Sequence, residues 1–99
     1  LKQPLPGLKH IATKYKKNDT FKNILLNKLE SITNPHLIID ILKAIIVLKD
    51  EIENWNELVL ENVEKYNLVD GNLILEMQNS HLLTEIMMMK YFSDNVLFC

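Results

Sequence analysis

Between Leu37 and Leu48, only Asp40, Lys43 and Ala44 interrupt a run of isoleucine, leucine and valine. A segment apolar nearly all round has to be covered on every side, so it belongs at the centre of a bundle or between layers. Isoleucine-rich runs also suit buried strands, and length decides between the two. About 14 residues is too long for an ordinary strand. Thr33, Asn34 and Pro35 punctuate the start: Asn34 suits an N-cap, and Pro35 the first helical position, where its missing N–H is no loss. The pattern predicts a helix from Pro35 to about Lys49.

The same period of three to four residues runs through the rest of the chain. Leu8, Ile11, Ala12 and Tyr15 form one stripe on a short first helix ending near Lys17. After a break and cap at Asn18 and Asp19, Phe21, Ile24, Leu25, Leu29 and Ile32 share a face of a second helix, with Lys22 and Lys28 outside. A fourth helix opens near Asp50, with Glu51 and Glu53 in its first turn, where the helix dipole favours acids. Its stripe is Ile52, Trp55, Val59, Val63 and Tyr66, with Leu58 beside it. Residues 67–72, holding Asp70 and Gly71, read as a loop, and Leu73 to Met77 as a short helical element. Ser80 reads as the cap of a final helix through Phe92, built on Leu82, Leu83, Ile86, Met87 and Met88 or Met89. The tail from Val96 to Cys99 is apolar enough to dock on a neighbour. Pro4, Pro6 and Gly7 make residues 1–7 an extended lead-in, leaving residues 8–99 as a single helical domain. The expected class is all-α: an orthogonal bundle, or a helical-hairpin (α-solenoid-like) array, of five to six helices.

Displacing the chain on itself by 45 residues lays Phe21 on Tyr66, Leu29 on Ile74, Asn34 on Asn79, His36 on His81, Leu37 on Leu82 and Ile41 on Ile86. A period of this size is that of two-helix solenoid repeats. The run from Leu37 to Leu48, followed by the next amphipathic helix, resembles HEAT and armadillo-like repeats. It resembles still more the helical-hairpin repeats of organellar RNA-associated proteins, the heptatricopeptide and FAST-kinase-like class. The resemblance spans residues 19–95 and is a pattern of apolar positions. It implies an α-solenoid and an association with RNA, and it carries over no functional residue. The Asp and Arg positions that mark HEAT units are missing, and Asp70 and Gly71 would fall inside the first helix of the second unit.

The chain has 11 lysines and no arginine, with Asn and Ile as frequent as Lys. That is the imprint of an AT-rich coding sequence, so the missing arginine needs no functional reading. Charge is uneven. Residues 1–35 carry seven lysines against Asp19 and Glu30, and residues 36–99 carry four against eleven acids. Such an asymmetry either marks an electrostatic binding face or lets the two ends of a compact fold, or neighbouring units of an array, attract one another. Cys99 is the single cysteine, which excludes an internal disulfide and fits a reducing, intracellular compartment. The chain opens at Leu1 without an initiator methionine, as a segment of a longer protein would. No apolar run approaches the roughly 18 residues a membrane span needs.

Nothing in the pattern calls for catalysis, a cofactor or a metal. Two isolated glycines cannot build a phosphate cradle, and His10, His36 and His81 lie too far apart in sequence to share one helix face as ligands. Two surfaces remain. Glu53, Glu57, Glu61 and Glu64 recur at i, i+4, i+8 and i+11 as an acidic ridge that could meet a basic protein partner. Lys9, Lys14, Lys16, Lys17, Lys22 and Lys28 are a candidate contact for a nucleic-acid backbone. Tyr15 and Phe21 lie among these lysines on apolar stripes, which makes them core rather than base-stacking residues. The expected function is therefore a non-catalytic scaffold module contacting protein through the ridge and the final helix. The alternative is an RNA- or DNA-associated repeat segment.

Overall fold

The computed structural model describes residues 7–68 and 70–80. Among them are five helices and no strand: α1 (Leu8–Lys14), α2 (Asp19–Ser31), α3 (Pro35–Val47), α4 (Trp55–Tyr66) and α5 (Gly71–Asn79). The protein is an all-α bundle, and α3 is its hub. It touches each of the other four helices, most extensively α1.

The hub position follows from what α3 carries. Ile38, Ile41, Leu42, Ala44, Ile45 and Ile46 are all buried, so it presents apolar surface over most of its circumference. Asn34 caps it, its Oδ1 accepting from the backbone N–H groups of His36 (2.9 Å) and Leu37 (3.4 Å), and Pro35 occupies the first turn. Ala12 on α1 and Ala44 on α3 are both fully buried. Side chains that small let two helices approach closely, in keeping with the extensive α1–α3 contact. The rest of the core comes from Leu25 and Leu29 of α2, Val59 and Val63 of α4, and Leu73 and Met77 of α5, with Leu48, Ile52 and Leu68 from the connections.

The connections depart from expectation in instructive ways. The first helix stops at Lys14 rather than Lys17, because Tyr15 to Lys17 turn toward Asn18, whose Oδ1 accepts from the Phe21 N–H at 2.9 Å and starts α2. The fourth helix opens at Trp55, not near Asp50. The Leu48 carbonyl accepts from the N–H groups of both Glu51 (2.8 Å) and Ile52 (3.1 Å), closing a turn that drops Ile52 into the core. Glu53 thus lies before the helix, and Glu57 is the acid of its first turn.

Helix α4 ends at Asn67, which adopts the left-handed conformation (φ 51°). The N–H of Leu68 bonds back to the Val63 carbonyl (3.0 Å) and that of Asn67 to Glu64 (3.4 Å), with Leu68 and Val63 both buried. This is a Schellman ending, with Asn in the place glycine usually takes. The predicted loop over 67–72 is shorter than expected. Asp70 is the N-cap of α5, its Oδ2 accepting from Leu73 N–H at 2.9 Å, so Gly71 and Asn72 already belong to the helix. Ser80 closes α5, donating its hydroxyl to the Met77 carbonyl at 3.1 Å. The expected final helix to Phe92, the tail and residues 1–6 of the lead-in lie outside the described residues.

The proposed 45-residue register sets the continuous helix α2 against residues 64–76, which here contain the break between α4 and α5. Together with the hub arrangement of α3, this makes the described part a bundle around one helix.

Candidate functional site

Two adjacent stripes on α2 build the site. Leu25 and Leu29 turn inward and are buried. Ile24 and Lys28, each one residue before a member of that stripe, follow a neighbouring line about 100° away and are exposed, while Phe21 is half-buried and packs against the core. They form one wall of an apolar groove of about 340 Å³. Leu8 and Ile11 of α1 contribute to it, as do Ile32 after α2 and Leu37, Asp40 and Ile41 of α3. Leu25 and Ile41 are buried residues of this lining, whereas Ile24 is 56% exposed and Leu37 is 48% exposed. The sequence pattern assigned Ile24 and Leu37 to buried faces; instead they are open to solvent. Tyr15, also expected in the core, is exposed, tilted against Phe21 with ring centroids 6.1 Å apart and with the Lys14 ammonium 5.6 Å from its ring.

The lysines expected to form a basic face are largely engaged by the chain's own acids. Lys9 on α1 pairs with Glu76 on α5. The turn after α1 meets the turn after α3: Lys16 lies 3.6 Å from Asp50, and Lys17 donates to Glu51 at 2.6 Å. Lys22 lies 3.4 Å from the Asp19 carboxylate and donates to the Glu51 carbonyl at 3.4 Å. The hydrogen bond to Glu51 and that residue's negative charge raise the Lys17 pKa above its ordinary 10.5. Exposed pairs of this kind contribute little individually. Their arrangement nonetheless shows the basic first third attracted to the acidic remainder. Lys14 and Lys28 are in no ion pair among the described residues: Lys14 lies by the Tyr15 ring, and Lys28 lines the groove.

Of the acidic ridge, Glu57, Glu61 and Glu64 lie on exposed positions of α4, and Glu53 is exposed in the turn before it. None of the four is in an ion pair among the described residues. His10 and His36 are exposed on different helices, and His81 is outside the described residues. Among the described residues no polar or charged side chain is buried, and no three His, Cys, Asp or Glu side chains gather to hold a metal ion. No described helix is long and apolar enough to cross a membrane.

Compared with protein-family models, curated proteins and solved structures, the chain matches none.

Proposed function

We propose that this chain is a non-catalytic helical module that works by protein–protein contact, and that the groove between α1, α2 and α3 is the surface it uses. The observation that carries the reading is the pairing of two half-exposed aliphatic side chains, Ile24 and Leu37, with a buried floor. Water gains nothing from such a surface, and a partner that covers it gains hydrophobic free energy. Fully burying a side chain of this size is worth about 1.5–3 kcal/mol. Ile24 and Leu37 are already half covered, so each retains roughly 1 kcal/mol for a partner to collect.

The nucleic-acid alternative draws on the exposed Tyr15 beside Lys14. It has less behind it, because Lys9, Lys16, Lys17 and Lys22 already lie against carboxylates and release fewer counterions to a phosphate backbone.

The test is site-specific photocrosslinking in the cells that make the protein, with a photoreactive residue at Leu37 or, separately, at Glu61. The groove reading expects a nuclease-resistant protein adduct from position 37 that disappears with Ile24→Asp. Adducts from position 61 alone would move the surface to the acidic ridge. A nuclease-sensitive adduct would replace the reading with nucleic-acid binding.

A further inference from the structure

We infer that the groove takes an amphipathic helix of a protein partner, carrying a carboxylate on the edge that meets α2 and a cationic side chain on the edge that meets α3. This rests on the groove being the docking surface. Most of its lining is helical, with backbone N–H and C=O groups largely used in their own ladders, and the first-turn N–H of Leu37 is taken by the Asn34 side chain. This lining offers no strand edge for an extended peptide to pair with. An extended segment would press unpaired backbone groups against aliphatic side chains, whereas a helix satisfies its backbone internally. Proline-rich segments prefer aromatic-lined grooves, and among the described residues of this lining Phe21 is the single aromatic one.

Two charged residues among the described lining set the polarity. Lys28 stands on the α2 wall and Asp40 on the α3 wall, and neither is in an ion pair among the described residues. Lys9, Lys16, Lys17 and Lys22 meet acids of the chain itself and Lys14 lies by the Tyr15 ring, whereas Lys28 lines the groove. Beside an apolar surface that excludes water on docking, complementary charges fix register and reject wrong partners. An apolar stripe at i, i+4 and i+7, flanked by one acid and one base, meets both requirements.

The full chain is panned against a displayed set of 14-residue helical peptides with such a stripe, whose edge positions vary among Glu, Gln and Lys. A matched set carries a central proline. The expected result is enrichment of the helical set, with Glu on one edge and Lys on the other by about tenfold over the reverse. Combining Lys28→Glu with Asp40→Lys inverts that preference. Peptides that need Ile24 but show no inversion, or that come from the proline set, overturn this inference and leave the docking reading standing. Absence of any peptide that is lost with Ile24→Asp, in a variant whose circular dichroism is unchanged, overturns both. Self-association of the chain that Ile24→Asp abolishes gives the groove to a second copy and overturns the inference as well.

Discussion

Leu37 and Leu42 lie on the same helix, yet the structure gives them opposite roles, and truncating each to alanine separates packing from display. Leu42 is fully buried. Removing three carbons there forfeits about 0.8 kcal/mol per methylene, and the cavity left behind adds to the loss. The expected destabilisation is about 3–4 kcal/mol, a large share of the roughly 5–15 kcal/mol that holds a small domain together. Leu37 is 48% exposed. Its truncation removes half-solvated surface and opens no cavity, so about 1 kcal/mol or less is expected. Urea unfolding followed at 222 nm reads both. With a slope of about 1.5 kcal/mol per molar, Leu42→Ala lowers the midpoint by about 2 M and Leu37→Ala by well under 1 M. Equal shifts, or a larger one for Leu37→Ala, would refute the assignment of α3 as a hub with one face left open.

Further outcomes follow from single contacts. Asn34→Ala removes the acceptor for the His36 and Leu37 N–H groups and should cost about 1 kcal/mol in the same assay. Asp70 both caps α5 and lies 3.8 Å from Lys43. Asp70→Asn keeps the cap and should cost under about 1 kcal/mol, while Asp70→Ala should cost about 1 kcal/mol more. Asn67→Gly should be neutral or slightly stabilising, because glycine meets no penalty at positive φ, and Asn67→Val clearly destabilising. The pKa of Lys17 is raised above 10.5, so its favourable contact with Glu51 is fully present below 10.5 and is lost as pH climbs through the raised value. Lys17→Met should remove that part of the alkaline loss of stability, as read by thermal melts across that range.

Much of the fold was legible because apolar spacing and caps are local signals. Asn18, Asn34 and the buried Val59 and Val63 of α4 are where the pattern placed them, and Ile52 is buried as expected but from the turn before the helix. The misread boundaries depend on contacts made at a distance. Residues 48–54 carry good helix formers, yet the Leu48 carbonyl closes a turn there, and Asp50 and Glu51 lie against Lys16 and Lys17, more than 30 residues away. The charge asymmetry was visible, and attraction within a compact fold is what the Lys9–Glu76 pair shows between its two ends, while Lys16 and Lys17 meet acids in the middle of the chain instead. The groove was not foreseen. A stripe shows that Ile24, Leu25 and Leu37 are apolar, but not which of two adjacent lines runs out of neighbours. The adjacency of Phe21 and Ile24 to the Leu25–Leu29 line was the available signal: more apolar width than one core contact can absorb.

Thiol labelling at position 37 tests occupancy of the groove most directly. In a Cys99→Ser background, Leu37→Cys should react at nearly the rate of a free thiol in the purified chain, while Ile38→Cys, one residue on and buried, stays protected. In nuclease-treated extract of the cells that make the protein, the reaction at position 37 should slow at least severalfold, and Ile24→Asp should restore it. A thiol at position 37 that is slow in the purified chain, or equally fast in extract, would contradict the account.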